Sequence, residues 1–222
     1  MSNPELSKVR AGILAHFDRH DVVDPYVFFF ARELKKVCND LIFVSTSKIS
    51  PEQRAQLEQF CTKVVERPDE GYDFMSWSIA IRSLELEKYD ELVICNDSCY
   101  GPMWPLQEYF DKMADVDCDF WGFTEGTLGH RHLQPYFAVF RKPLLQSDAF
   151  KEFWFSIKVL HRKWDIIRSY EVRMTPFFES HGFKSATYFK VGFGTMDKVI
   201  VLYYVRLGIM MVSMVIFLPF TF

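Results

Sequence analysis

Short apolar segments alternate with segments of helical periodicity along most of the 222-residue chain, and this alternation limits the folds that it can adopt. The apolar segments predict strands at residues 9–17, 41–45, 63–66, 92–95, 119–124 and 136–140. Helices are predicted to begin near residues 25, 51, 73, 105, 148 and 171. Because parallel strands need long crossovers that are usually helical, the pattern predicts an α/β fold, with a mainly parallel sheet flanked by helices.

Capping residues and glycine mark the ends of several predicted helices. Asp24 precedes Pro25, a pair that suits a helix cap followed by proline in the first turn. Asp73 is interpreted as the cap of the third helix, whose apolar positions recur at helical spacing. The last helix is predicted to begin at Glu171 and to stop before Gly182.

The predicted α/β pattern covers residues 1–190, which we interpret as one domain, and residues 191–222 form a separate apolar tail. Arg206 interrupts this tail, and the 16 residues after it are fewer than the roughly 20 that a membrane-spanning helix needs. Three interpretations stay open. The tail is a membrane-associated helix, a helix buried on the domain or in a dimer, or the aberrant end of an altered reading frame.

Composition limits the classes of partner. The net charge of −3 argues against a protein that binds nucleic acid through a strongly basic surface. The five cysteines are scattered without the paired spacing of a zinc site, which favours reduced thiols in a cytoplasmic protein. The first residues are polar and lack the apolar segment of a secretory signal. We therefore expect a cytoplasmic location, with attachment to the inner membrane if the tail is an anchor.

The sequence Asn96-Asp97-Ser98 follows the fourth predicted strand; Asp97 is the main candidate metal ligand, and Asn96 and Ser98 are assigned to the substrate-binding set. Ligands of open α/β sheets bind outside the carboxyl ends of the strands, where these side chains are expected. The Asp97 carboxylate, together with phosphate oxygens and water, can complete the shell of Mg²⁺ or Mn²⁺. The alternative is that the three residues only cap Pro102 and the turn that follows it.

A second candidate segment, residues 67–73, follows the third predicted strand. Arg67 can pair with a phosphate, and Asp73 can accept a hydrogen bond from a ribose or a base. Gly71 permits a close approach of the backbone to a ligand, and Tyr72 is assigned to the same substrate-binding set. The alternative is a turn in which Asp73 serves only as a helix cap.

Two histidines in predicted strand-end segments are further candidates for substrate contact. His16 ends the first strand, with Asp18 two residues later, and can stack on a ligand or donate to it. His132 and Gln134 lie between two predicted strands, and we favour substrate contact there over zinc binding because further zinc ligands are lacking at ordinary spacing. A purely structural role is the alternative for His16.

Glu171 is the candidate general base. It falls in the first turn of the last predicted helix, where the helix dipole favours an ionised carboxylate. An ionised carboxylate that faces a cleft can take the proton from a hydroxyl group. Ordinary compensation of the helix dipole is an equally good interpretation of this residue.

Taken together, these segments resemble the rhamnan synthesis protein F family of bacterial polysaccharide glycosyltransferases. The combination of NDSCYGP with GYDF is more specific than either motif alone. The matching stretches are residues 16–18, 23–27, 43–45, 71–74, 96–102, 118–122, 132–137 and 170–175. Asn96-Asp97-Ser98 also resembles the Asp-x-Asp element of sugar-nucleotide transferases, with one acid replaced by asparagine.

The resemblance implies a Rossmann-like fold of the GT-A type and transfer of L-rhamnose from dTDP-rhamnose onto a cell-surface polysaccharide, such as lipopolysaccharide or a cell-wall glycan, with inversion. It implies that Asp97 holds the metal and Asp73 the nucleotide, that Glu171 is the general base, and that His132 and Gln134 touch donor or acceptor. The implied partners are a nucleotide-sugar donor, a glycan or lipid-linked glycan acceptor, the inner-membrane surface and partner transferases.

Two other classes of function remain open from the sequence. The chain can be a non-catalytic module that binds sugar nucleotides or glycans and assists a partner transferase. It can also be a membrane-tethered scaffold whose function depends on the tail. Only the enzyme needs Asp97, Glu171 and a metal ion together.

Overall fold

The computed structural model describes residues 8–189 in full, and the backbone alone of residues 201–205 and 211–215. The strands are β1 (Arg10–His16), β2 (Asp40–Ser45), β3 (Lys63–Glu66), β4 (Glu91–Asn96), β5 (Phe120–Gly122), β6 (Glu125–Gly126), β7 (His132–Leu133), β8 (Phe137–Arg141), β9 (Ser185–Thr187), β10 (Val201–Val205) and β11 (Met211–Val215).

The helices are α1 (Pro25–Val37), α2 (Pro51–Leu57), α3 (Tyr72–Arg82), α4 (Leu106–Ala114), α5 (Lys142–Leu145), α6 (Asp148–Phe155), α7 (Lys163–Ile166) and α8 (Val172–Ser180). A 3₁₀ turn at Leu86–Lys88 precedes β4, and a π-helical turn at Ile167–Glu171 joins α7 to α8.

Seven strands form one sheet in the order β3-β2-β1-β4-β8-β5-β9. The pairs β1–β2, β2–β3, β1–β4 and β5–β9 are parallel, whereas β8 runs antiparallel to both β4 and β5. The predicted mainly parallel α/β sheet is therefore confirmed. The strand order reverses between β1 and β4, which is the place where doubly wound sheets bind their ligands.

Two apolar clusters cover the two faces of the sheet. Along β1 the side chains alternate, so that Ile13 packs with α3, α6 and α8, and Leu14 packs with α1 and α4. The first cluster is rich in large rings, including Trp77 and Trp154, both almost fully buried. Burial on both faces explains why β1 and β4 are continuous apolar runs in the sequence.

The boundaries of two helices differ from the prediction. Gly71 is the residue that precedes α3, with φ of 74°, so Asp73 lies inside the first turn and is not the cap. Glu171 lies at the end of the π-helical turn, which continues directly from α7. Its backbone is therefore not the free amino end of a helix, and the predicted stabilisation of its charge by a helix dipole is wrong for this position.

The apolar tail contains strands where a helix was expected. β10 and β11 pair antiparallel, with Val201 opposite Val215, so the prediction of a helix is wrong for these ten residues. The physical reason is that β-branched and aromatic side chains favour strands, and a short apolar run does not distinguish strand from helix.

The rest of the predicted tail, including residues 191–200, lies outside the described residues, so the domain boundary after Lys190 stays a prediction. Within the described part of the chain, no helix combines the length and the apolar character required to cross a membrane.

Candidate active site

The candidate site lies at the carboxyl ends of β1 and β4, where the strand order of the sheet reverses. His16 is the last residue of β1, and Asp97 follows the last residue of β4. The Asp97 amide donates to the Ala15 carbonyl at 3.2 Å, which continues the parallel pairing one step beyond the strand. The backbone of the sheet therefore fixes the position of the Asp97 side chain.

The Asp97 carboxylate is held in a nearly closed environment, with its side chain 13% exposed. Its Oδ2 accepts the Phe17 amide at 3.1 Å and lies 3.8 Å from His16 Nε2. The Tyr26 hydroxyl donates to the Asp97 carbonyl at 3.0 Å. Burial, and next the charge of Asp73, raise the pKa of Asp97 to about 7. Such a carboxyl group holds a proton readily until a cation replaces it.

Asn96 connects Asp97 to Asp73. Its Nδ2 donates to Asp73 Oδ2 at 2.8 Å, and its Oδ1 accepts the Ser98 amide at 3.2 Å. Burial raises the pKa of Asp73, and the hydrogen bond from Asn96 opposes that rise. Two neighbouring carboxyl groups with raised pKa values are typical of a functional site.

Arg67 holds the loop between β3 and α3 in place. Its guanidinium donates to the Pro68, Glu70 and Tyr72 carbonyls at 2.9, 2.5 and 2.7 Å, and to the Ser76 hydroxyl at 2.9 Å. These contacts fix the path of the backbone that leads to Asp73. The structure therefore gives Arg67 a role as a brace of the loop, and its pairing with a phosphate stays a prediction.

Gly71 and Tyr72 both have positive φ angles, of 74° and 54°. A Cβ at Gly71 would lie 2.9 Å from the Met75 Cβ, so glycine is required by space as well as by conformation. A left-handed conformation is unfavourable for a bulky residue such as Tyr72, and such strain concentrates at functional sites. Tyr72 is 42% exposed, which leaves its ring accessible to a ligand.

His16 is buried beside Asp97, with its ring 5.3 Å from that of Phe43. Its Nδ1 lies 2.9 Å from the Ser45 hydroxyl oxygen at the end of β2, and burial lowers its pKa. Asp18, in contrast, organises its own turn, because its Oδ1 accepts the His20 amide at 2.7 Å and the Val22 amide at 3.3 Å. His16 thus faces the site, whereas the Asp18 carboxylate is occupied by the turn.

Glu171, at the end of the π-helical turn, is partly buried and close enough to Asp73 for the two charges to interact. Burial raises its pKa; His132 and Lys163 act in the opposite direction, and the charge of Asp73 adds to the rise. The raised pKa brings this carboxylate towards the range of a general base that works near neutral pH. Tyr170, its neighbour, packs on Phe74 with ring centroids 5.6 Å apart, which anchors the π-helical turn on α3.

His132 and Gln134 lie in and just after β7. The Nδ1 of His132 donates to the His130 carbonyl at 2.7 Å, and its ring is close to Glu171. The Oε1 of Gln134 accepts the Thr124 hydroxyl at 2.6 Å. His132 is therefore buried close to Glu171, whereas the carbonyl end of Gln134 is occupied by the hydroxyl group of Thr124.

The structure thus brings Asp73, Asn96 and Asp97 together through hydrogen bonds and electrostatic contact, with His16 beside Asp97 and Glu171 close to Asp73. Ser98 is exposed beside them and contributes its amide to Asn96. Two further residues belong to this group and were not predicted from the sequence. Tyr26 holds the Asp97 backbone, and Lys163 is close to both Asp73 and Glu171. The position of Tyr26 directly after Asp24-Pro25 was a sequence signal for its role. The local sequence gave no such signal for Lys163.

The side chains of this group fit a hard divalent cation whose coordination shell is completed by a bound ligand. Within residues 8–189, no group of three or more His, Cys, Asp or Glu side chains is arranged to hold a metal on its own. Asp97 and Asp73 supply two oxygen-bearing side chains; burial raises the pKa of both, and the charge of Asp73 adds to the rise at Asp97. Mg²⁺ is commonly bound by one or two carboxylates together with phosphates and water.

Comparisons with known proteins identify the family of the chain. The family model described as "Rhamnan synthesis protein F" matches residues 41–200. An uncharacterized protein, y4gN, of Sinorhizobium fredii is 26% identical over 149 residues, which are 64% of this chain and 39% of that protein. The virulence protein VirA of Vibrio anguillarum is 26% identical over 130 residues, which are 56% of this chain and 41% of that protein. The matches thus span about two fifths of these relatives.

A solved structure has the same fold. It is a mannosyltransferase from Pyrobaculum calidifontis in complex with GDP-Man and Mn²⁺, with a TM-score of 0.52 and 9% sequence identity. The superposition covers 83% of this chain and 56% of that one. At this identity the likeness establishes the fold, which is of the GT-A type.

Proposed function

The chain belongs to the rhamnan synthesis protein F family, and from that premise we propose that it is a metal-assisted glycosyltransferase that uses a nucleotide-sugar donor and inverts the anomeric centre. The observation that carries the proposal is the pair of carboxylates Asp97 and Asp73, linked through Asn96 at the point where the strand order reverses. This is where an open α/β sheet binds a nucleotide.

We assign two roles to these residues, cation binding and general base catalysis. Asp97 and Asp73 would hold the divalent cation, which when bound supplies positive charge to the departing diphosphate. His16 is buried against Asp97 and would limit the access of water to the cation-binding residues. Glu171 is the proposed base for the acceptor hydroxyl, and its raised pKa and its closeness to Asp73 support this role.

The proposed reaction needs only one general base. The acceptor oxygen forms a bond to the anomeric carbon while the bond from that carbon to the phosphate oxygen breaks. The electron pair of the broken bond leaves with the nucleoside diphosphate, and the acceptor proton moves to Glu171. Because one displacement inverts the configuration, no covalent sugar–enzyme intermediate is needed.

The finer assignments extend the same proposal. We assign L-rhamnose from dTDP-rhamnose as the donor and a glycan or lipid-linked glycan of the cell surface as the acceptor, because this is what the family resemblance implies. We also assign substrate contact to His132, and the support is that its ring is close to Glu171. The inner membrane surface and partner transferases are the proposed surroundings of the reaction.

The test is release of nucleoside diphosphate from a panel of donors that includes dTDP-L-rhamnose, GDP-mannose and UDP-glucose, with Mn²⁺ present. We expect release from one donor, its loss in EDTA, and a drop of at least about a hundredfold in Asp97→Ala. Asp111→Ala is the matched control, because Asp111 is an exposed carboxylate on α4 that accepts only the Gln107 side chain in its own helix.

Two results would contradict the proposal. One is the absence of release from every donor while the chain is folded and binds nucleotide, which would favour the non-catalytic binding module. The other is equal release by the wild-type chain and by Asp97→Ala.

A further inference from the structure

We infer that an apolar pocket beside Asp97 binds the methyl-bearing edge of a 6-deoxyhexose, and that it distinguishes this donor sugar from a hexose with a hydroxyl group at C6. The inference deepens the proposed function and rests on it for the presence of a nucleotide-sugar donor. The residues that form the pocket take no part in the proposed binding of the cation or in the proposed proton transfer.

The pocket lies between the loop that follows Asp97 and the helices α1 and α4. Loop residues 99–102 form its more exposed wall, and the pocket surface is apolar. The hydroxyl oxygen of Tyr136, which also lines the pocket, lies 2.8 Å from the Thr124 hydroxyl oxygen, so this polar atom already has a partner. The buried side chains of the other wall are Phe30, Leu106, Tyr109, Phe123 and Phe137.

Direct contacts connect this pocket to the candidate active site. The Asn96 amide donates to the Tyr136 carbonyl at 3.2 Å, and the exposed wall of the pocket begins two residues after Asp97. The Tyr26 hydroxyl donates to the Asp97 carbonyl at 3.0 Å, and the Tyr26 ring lies 4.3 Å from the ring of Tyr100 in that wall. A group bonded to a diphosphate at Asp97 is therefore within reach of the pocket.

The two faces of the sheet separate the pocket from the proposed base. The buried pocket residues belong to the apolar cluster on the face of α1 and α4. Phe74, next to Asp73, and Tyr170, next to Glu171, belong to the cluster on the other face. Since Glu171 is the proposed base for the acceptor, the pocket on the α1 and α4 face is assigned to the donor.

The chemistry of the pocket selects one part of the donor. A nucleobase and a hydroxymethyl group both carry polar atoms that lose free energy when they are buried without hydrogen-bond partners. The C6 methyl group of a 6-deoxyhexose has no such atoms, and its burial against apolar side chains is favourable. An apolar wall therefore favours the deoxysugar over the corresponding hexose.

The size of the pocket excludes a long lipid chain. Its volume is about 360 Å³, which includes the part that is open to solvent. This volume is at the low end for sites that bind small molecules. It leaves room for one edge of a sugar, with Tyr100, 52% exposed, beside the opening.

The experiment is a calorimetric titration of the whole chain at fixed Mg²⁺, without acceptor, with dTDP-L-rhamnose and with dTDP-L-mannose. The two donors share the thymine base and differ only in the hydroxyl group at C6. We expect dTDP-L-rhamnose to bind about 10 to 100 times more tightly, which is the range in which an apolar pocket rejects an added hydroxyl group.

Two variants test the pocket itself. Tyr100→Ala removes an exposed part of the wall, and Leu106→Thr places a hydroxyl group in the buried part. We expect the preference for dTDP-L-rhamnose to fall to within about threefold in each. The matched control is Phe29→Ala, because Phe29 is an aromatic residue of α1 that is 42% exposed and does not line the pocket. Thermal unfolding checks that each variant is folded, and Tyr100→Ala decides if Leu106→Thr is not.

The outcomes separate this inference from the proposed function. Equal binding of the two donors, binding of neither, a full preference in Tyr100→Ala or an equal loss of preference in Phe29→Ala would each overturn the inference. If the preference depends on Tyr100 but no donor releases its nucleotide, the inference stands and the transferase proposal fails. If donors release their nucleotide but bind without regard to the C6 hydroxyl group, the inference alone fails.

Discussion

At the scale of single residues, the candidate site is a set of acids held close together by neutral partners. Asn96 donates to Asp73 at 2.8 Å, and the Phe17 amide donates to Asp97 at 3.1 Å. These bonds orient the carboxylates without supplying a positive charge, so the site retains its affinity for a cation. Burial makes the ionised forms costly, and this cost is visible in the pH dependence of stability.

The first prediction concerns Asp97→Asn in metal-free buffer. The folded pKa of Asp97 is about 7, well above that of an unfolded aspartate, so folded protein holds a proton between about pH 4 and 7 that unfolded protein has lost. The stability contributed by Asp97 is therefore present below pH 4 and falls as pH rises through 7. Asp97→Asn changes the free energy of unfolding at each pH, and we expect this change to be about 1–3 kcal/mol more stabilising at pH 8 than at pH 4.

Urea unfolding at the two pH values checks this prediction, with Asp111→Asn as the control for an exposed carboxylate. If Asp97→Asn changes the free energy of unfolding equally at pH 4 and pH 8, Asp97 is not a buried carboxyl group with a high pKa.

The second prediction concerns Glu171→Gln. The amide keeps the shape of the side chain but cannot accept the proton of the acceptor hydroxyl. We expect kcat for sugar transfer to fall by about 10²–10⁴ while the Kd for nucleoside diphosphate stays within about twofold. Glu152→Gln, an exposed position on α6, should change neither quantity. Unchanged kcat in Glu171→Gln would remove this residue from the role of base.

At the scale of elements, strands were easier to predict than the site they carry. The cores of β1, β2 and β4 follow from short apolar runs, because buried parallel strands are apolar on both faces. The edge strand β3, which has no buried residue, was predicted at its observed bounds. The joining of Asp73 to Asn96 was not predictable, because it depends on how α3 packs beside β4. The π-helical turn was also missed, since no local pattern distinguishes it from a regular helix.

The third prediction concerns the turn before α3. Gly71→Ala should cost about 2–3 kcal/mol, because the new Cβ combines a positive φ with a 2.9 Å approach to Met75. Gly182→Ala is the matched control, because Gly182 also has a positive φ but has open space around the new Cβ, and we expect a cost of about 1 kcal/mol there. Thermal or urea unfolding measures both, and equal costs would show that crowding at Gly71 is unimportant.

At the scale of the whole molecule, a seven-stranded sheet of the GT-A type brings chain segments more than 150 residues apart to one cleft. The alternation of strand and helix predicted this architecture, and the family resemblance supplied the chemistry. The tail was the weakest part of the sequence analysis, because an apolar run is compatible with a strand, a buried helix or a membrane helix.

The fourth prediction concerns that tail. We expect the whole chain to partition into vesicles of anionic bacterial lipids more strongly than a chain stopped after Lys190, because residues 191–222 are largely apolar. Sedimentation of the vesicles measures the bound fraction. Identical partitioning of the two chains would end the proposal that the tail associates with the membrane.

The most direct test of the central claim is a titration of the purified chain with Mn²⁺ in the presence of a nucleoside diphosphate, followed by electron paramagnetic resonance. The claim is that Asp97, at the switch between β1 and β4, holds a divalent cation. We expect one bound Mn²⁺ per chain. The affinity for Mn²⁺ should fall at least about tenfold in Asp97→Ala and stay unchanged in Asp111→Ala. Equal affinity in the wild-type chain and Asp97→Ala would contradict it.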